Sequence, residues 1–203
     1  MLNIVDTGVI GADKKIIEQI TDIHLKTFKG FFLTFLGKGF LKELYKGYAE
    51  HQRSGLLVAE EDGKILGFLA YSEELGSLYK YLIKNKLIQF AWYSFWAFLR
   101  KPSSMMRLFR AFLKPKESAR EDSYIELASI GVLPEQKGKN IGTKLIERLQ
   151  SMFDGEKFAY IKLETDAENN ESVNDFYKKN GFVLSASYVT IEGRKMNEYR
   201  WKI

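Results

Sequence analysis

Apolar positions change their spacing repeatedly along this chain, and each change marks an element. From 12 to 28, Ile16, Ile17, Ile20, Ile23, His24 and Phe28 recur at helical intervals, with Asp13 placed as N-cap. A second amphipathic helix, Lys38 to Tyr48, carries Phe40, Leu41, Leu44, Tyr45 and Tyr48, and Gly37-Lys-Gly39 marks the break before it. Two strands follow, Leu56–Glu60 and Lys64–Tyr71, joined by Glu61-Asp62-Gly63; Asp-Gly between apolar runs signals a hairpin. Residues 75–116 leave strand character and predict one or two helices, broken at Lys101-Pro102. Strand character returns at Tyr124–Val132. A short Gly/Asn loop then leads into an amphipathic helix reaching about Met152. Beyond it come a strand (Phe158–Thr165), a helix (Glu171–Lys179) stopping at Asn180-Gly181, and two tail strands, Phe182–Ile191 and Lys195–Ile203. The order α-α-β-β-(insert)-β-α-β-α-β-β predicts an α/β protein with one mixed sheet and helices on both faces.

No repeat or low-complexity linker divides the 203 residues. A single domain spanning 1–203, with a helical insertion at about 75–120, is the expectation. The chain has no cysteine, which excludes disulfides, thiolate zinc sites and a cysteine nucleophile. Its two histidines, His24 and His51, are too few and isolated for a histidine metal site, so no metal is expected. His24 lies on an apolar helix face and reads as packed, His51 as a surface residue. The N-terminus lacks the basic-then-apolar layout of a secretory signal, and the expected location is cytoplasmic.

The net charge of +5 is local. Residues 79–116 hold nine Lys/Arg and no Asp or Glu, while the remainder is net −4. Within that segment 87–99 carry no charge and four aromatics beside Trp92 and Trp96, and Met105, Met106, Leu108, Phe109, Phe112 and Leu113 supply a second apolar face. The uncharged run is shorter than the ~20 apolar residues a bilayer span requires. Three readings stay open: a lid packed on the core, a homodimer surface, or peripheral contact with an anionic membrane. Basic residues scattered among bulky apolar ones do not form a phosphate-tracking stripe, so no nucleic-acid partner is expected.

The densest chemistry lies in Lys137-Gly138-Lys139-Asn140-Ile141-Gly142-Thr143. A strand ends before Pro134, a basic loop follows, and a helix begins. The first amides of a helix lack intrahelical partners and its dipole makes that end electropositive, which suits a pyrophosphate. Far downstream stands Asn170-Glu-Ser-Val173-Asn-Asp-Phe-Tyr177-Lys-Lys-Asn-Gly181-Phe182. In order and spacing these two stretches resemble the GCN5-related N-acetyltransferase (GNAT) superfamily, whose patterns are Arg/Gln-x-x-Gly-x-Gly/Ala and Asn-x-x-Ala/Ser-x-x-Phe/Leu-Tyr-x-x-x-Gly-Phe. The resemblance covers roughly 56–72 and 124–203. Lys137 stands where Arg or Gln is common, and Asn140 where the first glycine is usual; Asn is the non-Gly residue that best tolerates left-handed backbone.

The resemblance implies a GNAT-like acyl-CoA N-acyltransferase fold with the helical insertion between the third and fourth strands. It implies acetyl-CoA, or another acyl-CoA, as cosubstrate. Lys137, Gly138, Lys139, Asn140, Gly142 and Thr143 would bind the pyrophosphate, backbone groups near Ile130 and Val132 the pantetheine arm, and Asn170 would hydrogen-bond the cofactor. Tyr177 matches the tyrosine that protonates the departing thiolate. Glu126, six residues before Val132, is the candidate base, with burial in a strand expected to raise its pKa. Plainer roles stand beside these: Tyr177 as a core aromatic, Glu126 as a solvent-facing edge residue, Asn170 as an N-cap. The acceptor is a primary amine of a small molecule or peptide; the basic, aromatic insertion suits an acidic one such as a nucleotide-linked amino sugar. The competing function is a non-catalytic CoA-binding sensor or interaction module.

Overall fold

A computed structural model describes residues 1–10, 12–100 and 123–203. Seven strands among them form one mixed sheet in the order β1-β2-β3-β4-β5-β7-β6. They are β1 (Asn3–Asp6), β2 (Ser54–Glu61), β3 (Lys64–Ser72), β4 (Tyr124–Val132), β5 (Tyr160–Asp166), β6 (Val183–Val189) and β7 (Lys195–Trp201). Every neighbouring pair is antiparallel except β4 and β5. The expected β2–β3 hairpin is present, with Asp62 and Gly63 both at positive φ, 51° and 75°. That combination matches the twist of the flanking strands. The strand β1, paired with β2 through Asn3↔Glu60 to Asp6↔Leu57, has no counterpart in the sequence reading. Four residues are too few to display a period.

The described helices are α1 (Thr7–Ile10), α2 (Lys14–Thr27), α3 (Phe32–Phe35), α4 (Lys38–Glu50), α5 (Leu75–Arg100), α6 (Ile141–Ser151) and α7 (Glu171–Lys179). Asp13 caps α2 as expected, its carboxylate accepting from the Ile16 amide at 2.8 Å. On one sheet face α2, α4 and α5 close a core around Ile20, Leu41, Tyr45, Val58, Phe68 and Leu82. On the other, α6 and α7 close a core around Leu57, Leu69, Ile125, Leu145, Ile161 and Tyr177. Both layers are therefore apolar on their sheet side, as the periods predicted.

Helix α5 lies between β3 and β4 and packs on α4. Gly39 falls inside α4 rather than before it. A Cβ there would collide with Tyr93, and one at Gly47 with Leu82. Two glycines cost α4 about 1 kcal/mol each in propensity, and the close helix contact is what that cost permits. Phe40 and Phe90 meet at 4.5 Å between ring centroids. Lys86 is buried against Glu43 (3.4 Å) and Glu50 (3.0 Å). The opposite side of α5 leaves Leu87, Ile88 and Trp92 exposed. The expected break at Lys101-Pro102 and the second apolar face from Met105 to Leu113 lie outside the described residues. Among the described residues no helix is long and apolar enough to cross a membrane.

Candidate active site

The site begins where two parallel strands part. β4 and β5 pair only through Tyr124↔Tyr160, Ile125↔Ile161 and Glu126↔Lys162, although both strands continue. On its other side β4 stays paired with β3 to Gly67↔Val132, leaving Ala128 without a partner at a register shift. The Leu133 amide donates to the Leu66 carbonyl at 2.9 Å. Alternation back from that pair turns the backbone groups of Ile130 and Val132 away from β3, toward the edge that β5 has left. One of them is already used: Thr27, at the end of α2, donates its hydroxyl to the Val132 carbonyl at 3.0 Å. The sequence reading did not find Thr27. What remains at the open edge is the Val132 amide and both groups of Ile130. An extended ligand arm could pair with these as a strand would.

The basic loop lies directly beyond. Pro134–Gln136 form one 3-10 turn, Gly138 takes φ 86°, and Asn140 takes left-handed φ 59°, ψ 16°. Asn140 thus supplies the backbone turn expected of it. The first helical bond of α6 runs from the Lys144 amide to the Asn140 carbonyl, 3.0 Å. The amides of Ile141, Gly142 and Thr143 precede it and have no intrahelical acceptor. Lys137, Gly138, Lys139 and Asn140 are exposed; Gly142 and Thr143 are half-buried. Gly142 serves packing as well as approach, because a Cβ there would lie 3.0 Å from the Phe176 ring. The start of α6 thus lies close beside α7, the helix that carries Tyr177.

Tyr177 is 6% exposed, among Phe176, Phe182 and Tyr199 at centroid separations of 5.4, 6.0 and 6.2 Å. Burial pushes its phenol well above the ordinary tyrosine value. The core-aromatic placement is therefore observed. Asn170 precedes α7, but its side chain caps nothing. Instead its amide donates to Thr165 Oγ1 (2.8 Å) and the Asp166 carbonyl (3.2 Å), tying α7 to the end of β5. The sequence reading passed over Asn174, which is buried and fully engaged. It donates to the Asp166 and Asn170 carbonyls and accepts from Asn197 and Tyr199, all within 2.8–2.9 Å. Its spacing from Asn170 and Tyr177, i+4 and i−3 on one helix, was the available signal.

Glu126 is buried, which removes the solvent-facing edge reading. Ile125 and Leu127 pack with Tyr177, so strand alternation points Glu126 to the opposite sheet face. It stands in the last β4–β5 pair, at the apex of the fork. Its surroundings hold a cation as well as apolar packing. Lys162 Nζ lies 3.4 Å from Glu126, 3.0 Å from Glu164 and 4.0 Å from Glu198. A cation at that distance favours the carboxylate and works against desolvation. Lys162 itself is 2% exposed. Burial lowers its pKa, but Glu126 and Glu164 outweigh burial and hold it above the ordinary lysine value. On the same face, His24 is buried as expected and meets the Tyr45 phenol at 2.6 Å, with Ser129 of β4 against that phenol. His51 is half-buried, between Ser54 (2.9 Å) and Ser77 (3.3 Å).

A sequence model of the acetyltransferase (GNAT) family matches residues 17–182. No curated protein matches the chain. A GNAT-family protein of Desulfovibrio desulfuricans has 12% identity and a TM-score of 0.62, the match covering 100% of this chain and 99% of that one. The ribosomal-protein-S18-alanine N-acetyltransferase of Escherichia coli has 14% identity and a TM-score of 0.58, with 99% and 93% coverage. NAA60 of Arabidopsis thaliana, solved in complex with acetyl-CoA, has 13% identity and a TM-score of 0.57, with 99% and 98% coverage.

Proposed function

The chain belongs to the acetyltransferase (GNAT) family, and from that premise we propose that it moves an acetyl group from acetyl-CoA to a primary amine. The observation that carries this reading is the fork: pairing stops at Glu126↔Lys162, and Ile130 and Val132 turn backbone groups to the vacated edge. In this reading the amides opening α6, with Lys137, Gly138, Lys139, Asn140, Gly142 and Thr143, hold the pyrophosphate. The Ile130 and Val132 groups left by Thr27 hold the pantetheine arm. Asn170 lines the α7 side. Acetyl-CoA, when bound, supplies an acetyl group activated as a thioester.

The residues divide the proton traffic between sheet faces. Glu126 takes the proton of the attacking amine, directly or through water, from the face shared with α2 and α4. Tyr177 gives its phenolic proton to the sulfur from the α7 side. Its raised pKa keeps it protonated at neutral pH. The same desolvation raises the basicity of a thiolate beside it, so the transfer is not lost to the weak acidity of the phenol. The acceptor class is an amine of a small molecule or peptide. The basic insertion supports an acidic one, a nucleotide-linked amino sugar included. Lys86 is committed to Glu43 and Glu50, leaving Lys80 and Lys84 as its exposed described lysines.

Acetylation of an amine panel by wild type and Tyr177→Phe tests this. The expected result is turnover lowered about 100-fold with acetyl-CoA affinity nearly unchanged. Equal rates remove Tyr177 as the acid. Acetyl-CoA binding with no turnover on any amine supports the sensor reading instead.

A further inference from the structure

His24, Tyr45 and Ser129 form a polar line that neither Glu126 nor Tyr177 draws on. His24 and Tyr45 are 3% and 1% exposed. His24 Nδ1 meets the Tyr45 phenol at 2.6 Å, and the other polar neighbour of that phenol is the Ser129 hydroxyl. Burying polar groups in a core costs free energy that apolar side chains of the same shape would not. The line begins between α2 and α4 and ends on β4.

Ser129 is half-buried and lies past Glu126↔Lys162, the last β4–β5 pair. In an unbroken strand it would face away from Glu126, since side chains alternate between faces. The register shift that leaves Ala128 unpaired removes that alternation. Glu126 pairs with Ser72 and Ser129 with Ala70, so both stand on the face shared with α2 and α4. An extra residue in one strand re-aims a side chain, often beside a reacting centre. Here it brings a hydroxyl to the face of the candidate base, at the open part of the fork.

The direction of the line is set at its far end. His24 Nε2 is buried with no hydrogen-bond partner among the described residues. Buried N–H groups without an acceptor are rare, unused lone pairs less so. Nε2 is therefore the bare nitrogen, and Nδ1 carries the proton. Nδ1–H donates to the phenol oxygen, the phenol donates to Ser129, and the Ser129 hydrogen is left for the fork. Each donor polarises the next. Burial holds His24 at about 4, so at neutral pH the line is uncharged; it aims a hydrogen and releases none.

We propose that Ser129 is a catalytic residue that donates its hydroxyl hydrogen to the thioester carbonyl oxygen, with Tyr45 and His24 as its positioning residues; this rests on the acetyl-transfer reading. As the amine nitrogen bonds to the carbonyl carbon, the π pair moves onto that oxygen, where the hydroxyl meets the developing charge. The pair returns as the C–S bond breaks. Glu126 takes the amine proton, the thiolate takes the proton of Tyr177, and Ser129 keeps its own.

Kinetics and infrared spectra test it together. Ser129→Ala should lower kcat about 100-fold with KM for acetyl-CoA nearly unchanged, and Ser129→Thr should keep most of the rate. Tyr45→Phe should lower kcat by less. The S129A/Y45F double variant should be no slower than S129A, because Tyr45 acts only through Ser129; a merely structural Tyr45 would slow both backgrounds equally and overturn its positioning role. The infrared comparison needs no acceptor: with carbonyl-labelled acetyl-CoA bound, the C=O stretch should lie at higher frequency in S129A than in wild type. Failure of acetyl-CoA to bind overturns the acetyl-transfer reading together with this one. Binding with the same stretch in wild type and S129A, or equal kcat in the two, overturns the role of Ser129 alone.

Discussion

The two ends of β4 are built for opposite purposes. From Tyr124 to Glu126 the strand is closed on both sides: it pairs with β5, Tyr124 stacks on Tyr160 at 5.5 Å, and Glu126 meets buried Lys162. From Leu127 to Val132 it is closed on one side only and turns backbone groups to an empty edge. The closed end uses side-chain charge to hold two strands together. The open end keeps backbone groups free of β5, at the edge where the proposed pantetheine arm would pair. A fork needs both, because an edge opens reproducibly only if the strands are clamped where the opening begins.

The sharpest way to break this contrast is at the clamp. Lys162→Met removes the cation and leaves Glu126 and Glu198 buried without it. Such a loss costs about 4 kcal/mol, read as a lower denaturation midpoint in urea. The lysine's contribution has a defined sign with pH. Its folded pKa is raised, so the stabilisation is fully present below the ordinary value of 10.5 and is lost as pH climbs through the folded value.

The open half leans on a different group. His24 is held at about 4, below its ordinary 6.5, by burial. The unfolded chain binds that proton more readily, so the stability His24 permits is present above pH 6.5 and is lost as pH falls through about 4. The expected loss is about 3 kcal/mol, seen in urea titrations across that range, and His24→Leu should flatten the slope. An unchanged slope would mean that other groups set the acid limit.

Gly142→Val separates loop docking from the clamp. Its side chain enters the space held by the Phe176 ring, at a cost of about 2 kcal/mol. Acetyl-CoA affinity should fall about 10- to 100-fold by calorimetry, while the Lys162 clamp is untouched. Undiminished affinity would show that the Gly142–Phe176 contact does not position the loop.

The open end was the legible one. A strand, a Gly/Asn loop and a helix follow one another between Tyr124 and Ser151, and Asn140 takes the left-handed turn its residue type allows. The Asp62-Gly63 hairpin and the Asn180-Gly181 stop of α7 were legible for the same local reason. The closed end was not. Lys162 has no local signal of burial; it lies on a strand flanked by β4 and β7, which bring Glu126 and Glu198 to it. Thr27 meets Val132 across more than a hundred residues, and no local pattern announces it. Gly39 reads locally as part of a break, and its close approach to Tyr93 on α5 follows from no local pattern. What sequence hid was contact between distant segments. The glycines and carboxylates themselves were in plain view.

A crystal structure with coenzyme A bound tests the central claim most directly. The account predicts the diphosphate on the amides of Ile141, Gly142 and Thr143, and the pantetheine arm paired with Ile130 and the Val132 amide inside the fork, with the Thr27–Val132 bond retained. Coenzyme A bound elsewhere, or a fork closed by continued β4–β5 pairing beyond Glu126, would contradict it.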